Sequence, residues 1–127
     1  MANVRIDENG VPKGPVYDLT TPLIHRSGVT AVDTSDPSGA SGGVDCAGFQ
    51  YCRLDLNLTG VGVSSLEAQV LFWNARQSLW FGGASRQFTA AGRYSLGVAD
   101  VRGSIIFLKV TGFTGTSFSL SVDAALS

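Results

Sequence analysis

The chain has 127 residues and a mass of 13.3 kDa, enough for one domain with a single modest core. At 44% hydrophobic and 15% charged it is too apolar for a solvated disordered chain, and its longest apolar run, around Ser104–Leu108, falls far short of the ~20 residues a membrane helix needs. Nine Lys and Arg against ten Asp and Glu leave a net charge of -1, so no basic field invites nucleic acid or anionic lipid, and sixteen glycines beside few Glu and Lys argue against helices.

The opening MANVRIDENG is polar and has no apolar h-region, so no export signal is expected. Residues 1–28 carry Pro12, Pro15 and Pro22 and follow neither a period of 2 nor one of 3.6. Each proline fixes φ and pushes its predecessor toward extended geometry, so this segment reads as an extended N-terminal arm ahead of a domain spanning 29–127. Its apolar residues, among them Val16, Tyr17, Leu19, Leu23 and Ile24, must cover either the domain's own sheet or a neighbouring subunit.

Val29–Asp33 reads as a short strand, and 34–43, rich in Ser, Gly, Asp and Pro, as a surface loop. From Gln50 to Leu58 the chain alternates, with Cys52, Leu54, Leu56 and Leu58 on one face and Tyr51, Arg53, Asp55 and Asn57 on the other, the pattern of a half-buried strand. Ser64 and Glu67 match a helix capping box, and Ser64–Phe81 taken alone suits a helix. An internal similarity decides otherwise. A shift of 52 residues lays Leu58-Thr59-Gly60-Val61 on Val110-Thr111-Gly112-Phe113, and Ser65–Val70 on Ser117–Val122, where Phe118, Leu120, Val122 and Ala124 alternate with polar residues. The match places Leu66, Ala68, Val70 and Phe72 on an inward strand face, and both regions read as strand, TG loop, strand hairpins. Glycine-punctuated short strands between Leu79 and Val98, then Ser104–Val110, apolar on both faces and so covered on both, bring the count to about seven or eight. The predicted fold is all-β, an antiparallel two-sheet sandwich of the jelly-roll kind.

Chemistry-bearing residues are few. A Ser-His-Asp arrangement would need the lone histidine, His25, to meet a serine, and no GxSxG elbow marks one. Asp33, Asp36 and Asp45 frame the loop but follow no calcium-loop spacing, so solvated carboxylates, no metal and no cofactor are expected. Cys46 and Cys52 would lie about 20 Å apart if the chain between them were extended, and a bridge would need a tight turn at Gly48; two free, buried thiols are the expected state. Trp73 and Trp80, with Tyr51 and Tyr94, could stack on sugar rings. By parity Trp73 points away from Leu66 and Val70, toward a ligand, a subunit interface, or a covering loop.

The run LEAQVLFWN, then SLWFGGASRQFTAAGRYSLGV, then VRGSIIFLKVTGFTGTSFSLSVDAAL, within residues 50–127, resembles the small β-sandwich structural proteins of tailed-bacteriophage virions, capsid decoration proteins included. No functional residue carries over from that resemblance. It implies a non-enzymatic virion protein, made in the host cytoplasm, that binds the major capsid protein or another virion component as a dimer or trimer, with no nucleic-acid or membrane partner. Val16, Tyr17, Leu19, Leu23, Ile24, Trp73 and Trp80 are the candidate interface residues. The runner-up is a carbohydrate- or receptor-binding module of a tail or baseplate.

Overall fold

The computed structural model describes residues 22–127 in full, together with the backbone of two earlier strands, β1 (Ala2–Ile6) and β2 (Pro12–Leu19). The remaining strands are β3 (Leu23–Val29), β4 (Val44–Asp45), β5 (Tyr51–Val61), β6 (Ser65–Asn74), β7 (Leu79–Phe88), β8 (Gly92–Ala99), β9 (Ile105–Thr114) and β10 (Ser117–Leu126), with one 3-10 turn at Ala40–Gly42. β1 pairs with β2, and the rest form two antiparallel sheets of order β3-β10-β5-β8 and β4-β9-β6-β7. From β3 onward every connection except β6 to β7 changes sheet. Eight strands so connected make a two-sheet sandwich of the jelly-roll kind, the fold class expected from the sequence.

The core follows from that alternation. Cys52, Leu54, Leu56 and Leu58 of β5 and Phe118, Leu120, Val122 and Ala124 of β10 face Leu66, Ala68 and Val70 of β6 and Ile106, Leu108 and Val110 of β9. Each buried Leu or Ile contributes roughly 1.5–3 kcal/mol through lost water contact, and the outward partners on β5 remain exposed or half-exposed. The segment with the capping-box match is a strand and a turn: its Leu66, Ala68 and Val70 are buried on a sheet face, and packing overrides helix propensity.

Three details differ from the sequence reading. Val29–Asp33 is not a strand; the strand is Leu23–Val29, so the sandwich begins inside the segment assigned to the arm. Its partly buried side chains include His25 and Arg26, which serve backbone groups of the opposite sheet, so it shows no apolar alternation. Second, Leu79–Phe88 is one continuous strand with an irregularity opposite Gln69–Leu71, not several short ones. Third, the two TG segments lie inside strands, Thr59-Gly60 in β5 and Thr111-Gly112 in β9, and the links after them, 62–64 and 115–116, are corners between sheets and not hairpins: β5 pairs with β10 and β8, and β6 with β9 and β7.

The repeat itself is real and has a geometric meaning. Leu58 pairs with Leu120, and shifting both partners by the repeat gives Val110 paired with Ala68, which is also observed. Each copy therefore finds its strand partners in the other copy, related by an approximate two-fold axis, and the two corners meet at one end. There Thr116 N–H donates to Val61 O at 3.2 Å, and a Cβ on Gly115 would lie 2.5 Å from Gly62 O. Gly115 also holds φ +148°, a conformation that L side chains rarely adopt.

Gly115→Ala is expected to lower unfolding free energy by about 2 kcal/mol or more, read from urea denaturation. Gly39→Ala, at φ -177° with nothing within 4 Å of the new Cβ, is expected to change it by less than about 0.5 kcal/mol.

Candidate functional site

β9 has a full-length partner on one side only. On the other, β4 pairs just Val44 with Ile106 and Asp45 with Ile105, leaving the outward backbone groups of Leu108 and Val110 to be satisfied by something other than a strand. Side chains and a loop do this. His25 Nε2 accepts from Leu108 N–H at 2.9 Å, and Arg26 Nη1 donates to Leu108 O at 3.2 Å. Asp33 Oδ2 accepts from Val110 N–H at 2.8 Å, while Asp33 N–H donates to Val110 O at 2.9 Å. Arg26 grips Asp33 with both guanidinium nitrogens, at 2.5 and 2.9 Å, and lies 4.9 Å from the centre of the Phe107 ring. His25 meets the same ring edge-on at 5.1 Å.

This clasp sets the charge states of its members. Burial alone would raise Asp33, but hydrogen bonds from Arg26 and Val110 N–H and the positive charges of Arg26 and Lys109 hold its carboxyl below the usual range. Burial, aided by the Arg26 charge, lowers His25 from 6.5 to about 4, so it is neutral at pH 7 with its Nε2 lone pair committed to a backbone N–H. That places the lone histidine in the framework. Asp36 pairs with Lys109 at 2.8 Å and Asp45 Oδ1 accepts from Ala47 N–H at 3.0 Å, so each of the three loop carboxylates has a partner within the chain. Among the described residues no cluster of three or more His, Cys, Asp or Glu could hold a metal ion.

The loop that begins at Asp33 continues over the outer face of β9-β6-β7. Trp80 Nε1–H donates to Pro37 O at 3.1 Å, and the indole packs against Trp73 (5.2 Å between ring centres) and Phe107 (6.0 Å). Trp80 is only 8% exposed, covered by its own chain, and Trp73 is half-buried as its cross-strand neighbour. The structure therefore brings Trp73 and Trp80 together but leaves Trp80 little surface to offer a partner.

Leu23 and Ile24 behave differently, at 46% and 78% exposed on the edge strand β3. Val16, Tyr17 and Leu19 fall in β2, and their side chains lie outside the described residues. Two exposed apolar residues that sequence reasoning missed as surface, Leu79 and Phe81, flank Trp80 on edge strand β7. With Trp80 turned under the loop, parity turns them the other way.

A third surface lies on the outer face of β10-β5-β8. Tyr51, 56% exposed, stands beside a shallow depression of about 640 Å³ floored by Gly97, Ala99 and Ala125 and bounded by Arg53 and Ser127. A second hollow of about 460 Å³ adjoins it at Arg53 and adds Asp55, Asn57, Ser95 and Asp123. Arg53 donates twice to Asp55, at 2.8 and 3.1 Å, and Ser95 Oγ–H donates to Asp55 at 3.2 Å. Tyr94, grouped with Tyr51, Trp73 and Trp80 as a ring that could stack on a sugar, packs on Phe88 at 4.5 Å. Comparison with protein-family models, with curated proteins and with solved structures gave no match.

Because His25 is neutral in the fold and would be cationic in the unfolded chain, its contribution is complete above pH 6.5 and is lost as pH falls toward 4. Thermal stability is expected to fall across that window by about 2 kcal/mol beyond the loss in His25→Gln, whose amide oxygen can still accept from Leu108 N–H. The loss tied to Asp33 comes later, below the ordinary carboxylate range, since its folded value is depressed. Melting curves of both proteins from pH 7.5 to 4 check the difference.

Proposed function

We propose that this chain is a non-enzymatic structural protein of a tailed-phage virion, one that binds the outside of the capsid as a homo-oligomer and staples neighbouring subunits. The observation that carries the reading is the Leu23–Ile24 lip: two exposed aliphatic side chains on a strand whose outer edge has no strand partner among the described residues. Exposed apolar surface on an open edge suits strand addition, in which a partner's backbone completes the ladder while its side chains cover the lip. The segment that leads into this strand, with Val16, Tyr17 and Leu19, extends the same apolar character. The jelly-roll connectivity adds an analogy, since shell proteins often use it, though the fold also serves lectins. Modest contacts repeated over a symmetric lattice hold by avidity, without a tight individual site.

Particles purified from the host are expected to carry the protein in copies on the order of hundreds, reachable by antibody at the outer surface. The double variant Leu23→Asp, Ile24→Asp, at exposed positions and so neutral to folding within about 0.5 kcal/mol, is expected to leave the particles bare. A few copies at the tail, or undiminished decoration by the variant, would sink the proposal.

The Tyr51 depression favours a second reading, a saccharide-binding module. An exposed aromatic ring stacks on the apolar face of a pyranose, and the neighbouring Arg53, Asp55, Asn57 and Ser95 offer donors and acceptors for its hydroxyls. On that reading Tyr51→Ala lowers glycan affinity at least about tenfold in titration calorimetry, without shifting Tm. An unchanged affinity removes it.

A further inference from the structure

The two cysteines are closer than their chain separation suggests. Cys46 follows β4, with its N–H donating to Ser104 O at 2.9 Å, and Cys52 sits in β5 opposite Val98 and Leu126. Between them the chain reverses: Phe49 N–H donates to Cys46 O at 3.0 Å, with Gly48 at φ +87°, a turn only glycine enters freely. The thiols, 0% and 2% exposed, end in the same core cluster, near enough for each to act on the other's proton, and Cys46 Sγ–H donates to Val44 O at 3.6 Å. A single buried thiol acts as a small hydrophobe. Two buried thiols brought into one cluster by a tight turn, one after β4 and one in β5 of the other sheet, are one oxidation away from a covalent link.

We propose that Cys46 and Cys52 are a latent disulfide, closed when the folded protein meets a small-molecule disulfide such as glutathione disulfide. The Cys46 thiolate, formed by loss of its proton to solvent, attacks one sulfur of the oxidant and releases the first glutathione thiolate, leaving a mixed disulfide. Cys52, deprotonated in turn, attacks the Cys46 sulfur and expels the second glutathione. The protein loses two protons and two electrons, and the oxidant becomes two thiols. The chain next to Cys46 is the turn at 47–50, where Ala47, Gly48 and Gln50 are exposed, so a local opening of that turn admits the oxidant. Cys46 is the first to react because it adjoins the exposed turn, whereas Cys52 lies within β5, a central strand of its sheet. The link joins the end of β4 to a central strand of the other sheet.

The full chain, purified reduced, is incubated with glutathione disulfide in native buffer, then counted for thiols after denaturation and weighed intact. The expected product has no free thiol, is lighter by two hydrogens, and melts about 5 °C higher, the modest gain of a short closed loop, with reversal by dithiothreitol. Cys46→Ala and Cys52→Ala are expected to show no such gain under oxidant. Two persisting thiols, a stable glutathione adduct without the link, or a link that forms only in urea and lowers the melting temperature each overturn the proposal.

Discussion

The hydrogen-bonding demand of the β9 edge organises the molecule. A jelly roll needs two sheets of similar extent, yet β4 supplies only two residues, and a buried backbone group left without a partner costs about as much as a lost hydrogen bond. His25, Arg26 and Asp33 meet that demand from the opposite sheet and the loop after it. Because the clasp takes His25 and Arg26, the adjacent partly buried side chains of β3, that strand lends the core little aliphatic surface, and Leu23 and Ile24 at its start are exposed. Because Asp33 anchors the chain to Val110, the following loop starts beside β9, where Lys109 takes Asp36 and Trp80 takes the Pro37 carbonyl. One substitution for a missing strand thus settles both which apolar residues stay exposed and which are covered.

The approximate two-fold axis supplies the rest of the framework. Four strands from the two copies, β5, β6, β9 and β10, form the centres of both sheets, and the remaining strands lie outside them. Pairing between copies rather than within them puts the corners that follow β5 and β9 at one end, where Gly62 and Gly115 pass closely. At the other end of β5 the Cys46 to Cys52 turn packs against the chain's last residue, whose carbonyl accepts from Gln50 and Tyr51 N–H. Each end of the sandwich is therefore closed by backbone contact, one through glycine and one through a turn between two buried thiols.

What could be read from the residues follows the physics of the period. Alternation reports which face a side chain takes, so Leu54, Leu66, Leu120 and their neighbours were legible as core, and the repeat outweighed the capping-box match at Ser64. Alternation does not report which strand lies alongside, and a short corner between sheets, 62–64 or 115–116, looks in sequence like a hairpin turn; the TG pairs just before them, near the ends of β5 and β9, read as loops for that reason. β3 was illegible for another reason: the register shifts at His25, and its adjacent partly buried side chains, His25 and Arg26, are polar, so it has no apolar period. Trp73 was legible as outward, but its cover was not, because the loop that buries Trp80 beside it is composed of turn residues with no pattern of their own.

The low charge of the chain, first useful only for exclusion, gains content from the pairings. Arg26 with Asp33, Lys109 with Asp36, Arg53 with Asp55 and Arg102 with Asp100 neutralise one another at 3.1 Å or less, so much of what charge there is serves internal pairs and projects little field. Long-range steering then contributes little to any encounter, and a partner of the kind proposed would be found by orientation and held by contact area. Of the available surfaces, the Leu23–Ile24 lip suits that regime best, because an open strand edge offers directional backbone hydrogen bonds to align the partner and aliphatic area to retain it. The Tyr51 hollow suits a small polar ligand better, since its floor of Gly97, Ala99 and Ala125 offers little apolar area to a protein partner.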